Sequence, residues 1–196
     1  MPTLILASTS PYRRELLSRL RLPFEAVAPE VDEVALPAEA PAALTERLAL
    51  SKARAVAAWQ PGAIVIGSDQ VADLEGEAIG KPGTHERAVE QLRRLSGREV
   101  IFQTAVAIVA PGLEAIERAE VRVRFRVLSD ASIEAYLRAD EPYDCAGSAK
   151  VESLGVALLE AVESDDPTAL IGLPLIRTCT LLRRAGLDPL ACPTEN

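Results

Sequence analysis

Apolar positions in this chain fall into compact runs and spaced faces that alternate along its length. Runs bounded by turn residues predict strands at Leu4 to Ala7, Phe24 to Val27, Ala63 to Ile66, Val71 to Leu74, Val100 to Val109, Ala119 to Val127 and Val156 to Leu159. Between many of them the spacing turns helical. Pro11 suits a first helical position behind Ser10, and Leu16, Leu17 and Leu20 repeat on one face, predicting a helix to about Leu20. Leu44, Leu48, Ala49, Ala53, Val56 and Ala57 mark a second helix, and Ala88, Leu92 and Leu95 a third that Gly97 ends. Ser129 reads as the cap of a fourth, and Pro174 opens a last one through Leu181 and Leu182 to Gly186. Early alternation of strand and helix, then two long strands joined near Pro111-Gly112, predicts an α/β fold: a mixed twisted sheet with flanking helices. Val121 to Val127 alternates strictly, with Arg122, Arg124 and Arg126 on its polar face. That pattern reads as a solvated strand face, with a phosphate field or a dimer edge as the alternative.

The 196 residues amount to one domain spanning 1–196, since no repeat, low-complexity tract or Ser/Gly linker divides them. The segment from Val27 to Pro41 is the nearest thing to a long loop. Charge narrows the partners: 21 Lys+Arg against 29 Asp+Glu leave a net charge of −8, which disfavours a nucleic acid polymer. Its monomers remain open, because a small phosphate ligand needs a few placed cations rather than a basic surface. No apolar run approaches the ~18 residues a spanning helix needs, so no membrane partner is expected. The N-terminus lacks a basic flank and reads as a first strand, which places the chain in the cytoplasm. Three cysteines (Cys145, Cys179, Cys192) without Cys-x-x-Cys spacing, and one histidine, His85, argue against disulfide frameworks and zinc sites. Acid-base chemistry therefore falls to carboxylates, lysines or metal-activated water.

Ligand clefts in such sheets favour strand ends, so the segments after strands carry the candidate chemistry. Leu4 to Arg14 runs from a strand through a hydroxyl-rich turn into a helix start with two arginines. Free N–H groups there, hydroxyls of Ser8 and Ser10, and the forks of Arg13 and Arg14 make a phosphate cradle. Cations at that end oppose the helix dipole by ~0.3 to 1 kcal/mol unless an anion compensates; capping serines and solvated arginines are the plain alternative. Ile64 to Val71 delivers Gly67, Ser68, Asp69 and Gln70 to a strand's end, where Asp69 can hold a divalent metal or take a proton from water. An ordinary turn aspartate is the alternative. Glu30, Asp32 and Glu33 either complete a hard-oxygen site with Asp69 or form an acidic surface loop. Lys52, on a largely apolar helix, and Lys81, in the turn Gly80-Lys81-Pro82, are sparse cations that either meet phosphate or merely snorkel and turn. In Tyr143 to Gly155, small residues let the backbone wrap a flat ligand, and Glu152 offers two oxygens to the adjacent N–H donors of guanine. Asp165-Asp166-Pro167-Thr168 reads as a helix start with acidic capping; Cys145 and His85 read as structural.

Taken in order, these stretches resemble the Maf family of nucleoside triphosphate pyrophosphatases over nearly the whole chain. They are Ala-Ser-Thr-Ser-Pro-Tyr-Arg-Arg, Pro-Glu-Val-Asp-Glu, Ser-Lys-Ala, Gly-Ser-Asp-Gln-Val, Gly-Lys-Pro, Asp-Cys-Ala-Gly-Ser-Ala-Lys-Val-Glu and Asp-Asp-Pro-Thr-Ala-Leu-Ile-Gly-Leu-Pro-Leu-Ile. Within the family the chain is similar to the YceF branch, which acts on 7-methyl-GTP, rather than the branch that acts on dTTP and UTP. The pyrimidine branch typically shows Ala-Asp-Thr where this chain has Gly67-Ser68-Asp69-Gln70, and Gly-Ile-Gln-Gly where it has Lys150-Val151-Glu152-Ser153. The resemblance implies a fold with a central cleft related to the inosine triphosphate pyrophosphatases, frequent homodimers, and a link to cell-division arrest. It also implies Asp69 as proton acceptor, with Tyr12, Gln70 and Glu152 at the specificity positions. Tyr12 departs from the Trp expected in the closest members, but an aromatic plane still stacks on a base.

These readings together predict metal-assisted hydrolysis of 7-methyl-GTP to 7-methyl-GMP and pyrophosphate, removing a modified nucleotide. Mg²⁺ or Mn²⁺ on Asp69 and Glu33 would orient the triphosphate; Ser8, Arg13, Arg14, Lys52 and Lys81 would bind it. The alternatives are a dTTP/UTP pyrophosphatase and a non-catalytic nucleotide-binding regulator of septum formation.

Overall fold

A computed structural model describes residues 2–191, so Cys192 and the chain's last residues lie outside it. Among the described residues seven strands and five α-helices follow in order β1 (Leu4–Ala7), α1 (Pro11–Ser18), β2 (Glu25–Val27), α2 (Pro41–Ala57), β3 (Ile64–Leu74), β4 (Glu77–Ile79), α3 (His85–Leu95), β5 (Glu99–Ala110), β6 (Leu113–Phe125), α4 (Asp130–Asp140), β7 (Leu159–Ser164) and α5 (Leu175–Arg184). One sheet runs β2-β1-β3-β5-β6-β7, with β4 also paired to β3. β1 is parallel to both β2 and β3, while the remaining pairs are antiparallel. The mixed α/β sheet expected from the sequence is present.

The alternating side chains of the strands feed opposite layers. Leu4 and Leu6 of β1 and Ile64 and Ile66 of β3 meet Leu16 and Leu17 of α1 and Leu181 and Leu182 of α5. Ile5, Ala7 and Val65 face the other way, onto Ala49, Ala53 and Val56 of α2. Alanines let α2 lie directly on the sheet: a Cβ at Gly67 would stand 2.1 Å from the Ala49 carbonyl oxygen and 2.6 Å from the Ala53 nitrogen. At the far end, Leu92 and Leu95 of α3 and Ile133 and Leu137 of α4 cover Phe102, Val121, Val123 and Phe125.

Several expectations need correction. The runs at Ala63 to Ile66 and Val71 to Leu74 are one strand, so Gly67, Ser68, Asp69 and Gln70 lie inside β3, not at its end. The strand continues through these polar residues because β5 pairs with it from Val65 to Asp73 and because their side chains find partners. The other edge of β3 is interrupted. Its partner β1 stops at Ala7 opposite Gly67, and β4 takes over only at Ala72, so among the described residues no strand flanks Ser68 to Val71 there. That gap is the strand end on which the sequence reading was based, but it belongs to β1.

Helix α1 stops at Ser18 rather than Leu20, where Arg21 turns to a left-handed φ of 55°. Strand β4 is too short to show a period, and β6 starts at Leu113 as one arm of the long hairpin. Leu154–Leu158 forms a 3-10 turn, and β7 follows it. Asp165 to Thr168 leads into a 3-10 turn, Ala169–Ile171, rather than a helix; Asp166 instead caps α5 at a distance, its Oδ2 accepting from the Arg177 N–H at 3.0 Å. The alternating face of β6 is solvated as expected, with Arg122 paired to Glu99 and Arg124 to Glu160. None of the described helices is long and apolar enough to cross a membrane.

Candidate active site

Strand alternation sends Asp69 to the α2 face of the gap and Ser68 and Gln70 to the other. On the α2 face Asp69 is 6% exposed, and its Oδ1 accepts a hydrogen bond from Lys52 Nζ at 2.7 Å. Lys52 is itself buried, and its ammonium also meets Glu33 Oε1 at 2.8 Å. One cation thus bridges two carboxylates brought from a strand and a loop. Arg47, one helical turn back on α2, holds that loop by a fork on Glu39, at 2.6 and 2.8 Å, and by the Val34 carbonyl at 3.1 Å. Burial pushes the Glu33 carboxyl up, but the Lys52 hydrogen bond and the charges of Lys52, Lys81 and Arg13 outweigh it and hold the group below the ordinary glutamate range. Glu30 is exposed and Asp32 spends an oxygen on the Val34 N–H, so of the three loop acids only Glu33 joins Asp69.

On the opposite face the Gln70 amide nitrogen is consumed by three acceptors, Thr104 Oγ1 at 3.0 Å, Ala169 O at 2.8 Å and Leu170 O at 3.1 Å. Its free end is therefore the oxygen. Ser68 Oγ lies 3.0 Å from the Gly172 carbonyl, which also accepts from Arg13 Nε at 2.9 Å. Gly172 can turn that carbonyl inward because its φ of 123° suits glycine. The α1 end is built as the sequence predicts: Ser10 caps by accepting from the Arg13 N–H, and Pro11 takes the first turn. Buried Ser8 accepts from the Ser10 N–H at 3.1 Å and faces Arg13 Nη1 at 3.5 Å. Burial presses the Arg13 guanidinium toward its neutral form, and Asp69 and Glu33 oppose this; with Nε on Gly172 O and Nη1 facing Ser8, Nη2 is left for an anion. Arg14 is exposed and does not wall the cleft that these groups enclose; it lines an adjoining groove with Ser8 and Ser10.

Between these groups lies a cleft of about 230 Å³, walled by Thr9 to Arg13, Gln70, Lys81, Asp144 to Ala146, Ala149, Glu152 and Leu170 to Gly172. Tyr12, Gln70 and Glu152, three residues scattered in sequence, meet in it. Asp69, Lys52 and Glu33 are not part of its wall; they adjoin it through Arg13 and Lys81, whose charges act on Glu33. The exposed Lys81 is held by its turn: Gly80 O accepts from Gln91 Nε2 at 3.2 Å and from the Gly147 N–H at 3.3 Å. Burial, then repulsion from Asp144 and Glu15, pushes the Glu152 carboxyl up. Cys145, read as structural, stands in the wall, its thiol pushed up to about 12 chiefly by burial and therefore unreactive as a nucleophile. Asp144 was missed; its place just before Cys145, in a stretch already suspected of wrapping a ligand, was the available signal. Nothing in the sequence marks Thr104. His85 begins α3 and meets Tyr143 Oη at 3.0 Å and Glu134 at 3.1 Å, outside the cleft.

A second pocket, of about 370 Å³, opens beside Arg118, Arg122 and Arg177, but each of these arginines is already paired with a carboxylate. The donor set bears on a metal. Among the described residues no group of three or more His, Cys, Asp or Glu is placed to hold an ion. Lys52 Nζ occupies the point where Asp69 Oδ1 and Glu33 Oε1 converge, so each carboxylate has only its second oxygen left for a Mg²⁺ or Mn²⁺ ion, which would complete its shell with water and substrate phosphate.

A family model described as Maf-like protein matches residues 3–185. A protein from Polaromonas sp. (strain JS666), named 7-methyl-GTP pyrophosphatase, is 65% identical over 186 residues, covering 94% of this chain and 85% of that one. Its namesake from Albidiferax ferrireducens is 62% identical over 189 residues, covering 95% of each chain. Among solved structures, the Ham1 protein of Staphylococcus aureus aligns with a TM-score of 0.48 and 16% identity over 63% of this chain and 71% of that one.

Proposed function

The chain belongs to the Maf family, and from that premise we propose that it is a nucleoside triphosphate pyrophosphatase that converts 7-methyl-GTP to 7-methyl-GMP and pyrophosphate. One observation carries the reading: a buried carboxylate, Asp69, held by Lys52 at 2.7 Å with Glu33 on the same ammonium, beside a cleft that gathers Tyr12, Gln70 and Glu152. Asp69 and Gln70 project to opposite sides of the β3 gap. A nucleotide crossing the gap sets its triphosphate on the α2 side and its base between Tyr12, Gln70 and Glu152.

Water attacks the α-phosphorus, the bond from that phosphorus to the bridging oxygen breaks, and pyrophosphate leaves. Asp69 takes the water's proton on Oδ2 while Oδ1 remains with Lys52. Arg13, Lys52 and Lys81 balance the charge that collects on the departing pyrophosphate, and Ser8 fixes the turn that presents Arg13. Arg14, in the adjoining groove with Ser8 and Ser10, adds its charge to the phosphate cradle. With Asp69 acting as the base, its neighbour Glu33 and the substrate phosphates would hold the divalent cation, Mg²⁺ or Mn²⁺, which when bound withdraws charge from the phosphoryl oxygens and acidifies water. Glu152 accepts from the paired N–H donors of guanine, Gln70 adds a further acceptor, and Tyr12 stacks. A cytoplasmic location and a homodimer complete the reading.

The test is pyrophosphate release from 7-methyl-GTP, GTP, dTTP and UTP with Mg²⁺ or Mn²⁺. 7-methyl-GTP is expected to turn over fastest, with pyrophosphate rather than orthophosphate leaving. Asp69→Asn keeps the shape of the side chain and leaves Lys52 its Glu33 partner, so the variant should fold and lose turnover by about 10²- to 10⁴-fold. Pyrophosphate release retained by folded Asp69→Asn removes Asp69 from the chemistry. Equal rates on pyrimidine substrates remove the base assignment.

A further inference from the structure

Resting on that reading of the cleft, we infer that Asp144 is a further specificity residue. With the ring of Tyr12 it forms a seat for a positively charged heterocycle, the N-alkylated purine of a nucleotide. The Tyr12 hydroxyl donates to Asp144 Oδ1 at 3.3 Å, and both residues wall the cleft. Over the ring lies an ammonium of the chain itself: Lys150 Nζ is 5.6 Å from the Tyr12 centroid, inside the ~6 Å range of a cation–π contact. Lys150 is tethered by its backbone and not by its head. Its N–H donates to Tyr136 Oη at 2.9 Å, and its carbonyl accepts from the N–H groups of Ser153 and Gly155, each at 3.1 Å. The side chain can therefore leave the ring without disturbing the loop.

The charges around this seat are not tied up in ion pairs. Among the described residues Asp144, Glu152 and Lys150 form no ion pair. Instead, Asp144 takes the Tyr12 hydroxyl and the Cys145 thiol, a weak donor at 3.6 Å. Burial first, then Cys145 and Asp144, raises the Tyr12 phenol; burial, then Asp144, raises the Cys145 thiol; and burial, with Asp144 adding to it against the Lys150 charge, raises the Glu152 carboxyl. Three neighbouring groups thus register the same negative field. With the Gln70 nitrogen spent on protein acceptors, the side chains at this end offer Asp144, Glu152 and the Gln70 oxygen, all of them acceptors. Guanine and 7-methylguanine share the donor edge that such acceptors read, so those groups alone do not tell the two apart. They differ in charge. Asp144 and the electron-rich face of Tyr12 respond to charge, and the Lys150 ammonium competes with a cationic ring for the same face.

This assignment makes two substitutions move one ratio in opposite directions. The quantity is kcat/KM for 7-methyl-GTP over that for GTP. Asp144→Asn keeps shape and removes charge at an exposed position, and should lower the ratio about fivefold through KM for the methylated substrate. Lys150→Met removes the competing cation and should raise the ratio by a similar factor. A merely structural loop would shift both substrates together. An unchanged ratio in Asp144→Asn, or a shift of the same sign in both variants, overturns the inference. Equilibrium binding of 7-methyl-GMP and GMP to the same proteins reads the preference without turnover. Absence of pyrophosphate release from the wild type therefore strikes the proposed reaction, whereas a binding ratio indifferent to Asp144 strikes this seat.

Discussion

Lys52 is the residue on which the chemistry and the stability of this chain meet. Its side chain, 5% exposed, lies between the buried Asp69 and Glu33, whose side chain is 58% exposed. A buried ion pair adds little net stability against its desolvation, yet removing one member leaves a charge stranded. The two halves of this pair are not equivalent. If Asp69 is neutralised, Lys52 still has Glu33; if Lys52 is removed, Asp69 has no other partner at hydrogen-bond distance among the described residues. Lys52→Met should accordingly cost about 3 kcal/mol in urea unfolding, whereas Asp69→Asn stays within about 1 kcal/mol of the wild type. Equal losses would mean that water reaches Asp69 and solvates it. The residue identities here were legible in the sequence, because a lysine on an apolar helix and an aspartate behind an apolar run are both anomalies that ask for a partner. That the two partner each other was not legible, since it depends on how deeply α2 sits.

That depth is decided between elements. The absent Cβ of Gly67 lets α2 rest on β3 with its backbone against the strand, which brings Lys52 within 2.7 Å of a residue two positions along. Gly67→Ala would place a methyl 2.1 Å from a carbonyl oxygen, and relief requires the whole helix to retreat. A loss of about 3 kcal/mol or more in unfolding free energy is expected, with turnover falling alongside it; an unchanged urea midpoint would show that α2 shifts freely. The same strand shows why apolar spacing reads most of this fold and misreads its centre. Runs such as Leu4 to Ala7 and faces such as Leu16, Leu17 declare themselves because burial alone explains them. Ser68, Asp69 and Gln70 look like a turn because their partners come from α2, β5 and the turn after β7, 17 to 104 residues away. Once they are placed inside β3, period-two alternation separates Asp69 from Gln70 and gives the cleft its two sides.

At the scale of the molecule, the cleft is a seam between two parts of the core. One wall, from Thr9 to Arg13, belongs to the part formed by β1, α1 and α5; the other, from Asp144 to Glu152, is anchored to α3 and α4 through Ser148 to Gln91, the Lys150 N–H to Tyr136 Oη, and Ser153 to Asp140. The net charge of −8 repels anions in general, so affinity for a triphosphate must come from the local cations Arg13, Lys52 and Lys81 rather than from the surface as a whole. Between the two walls the side-chain contacts are sparse, Tyr12 to Asp144 at 3.3 Å and Lys150 over the Tyr12 ring among them. A ligand that touches both walls ties the seam, and its binding free energy is added to folding. 7-methyl-GMP with pyrophosphate, each at 100 times its Kd, should each stabilise the protein by about 2.7 kcal/mol in thermal unfolding. Because the sheet is already held by its own hydrogen bonds, the gain in hydrogen-exchange protection should concentrate in residues 144–153 rather than in α2 or β5. Protection spread evenly over the chain would mean that the two walls already move as one body, and that the seam has no mechanical meaning.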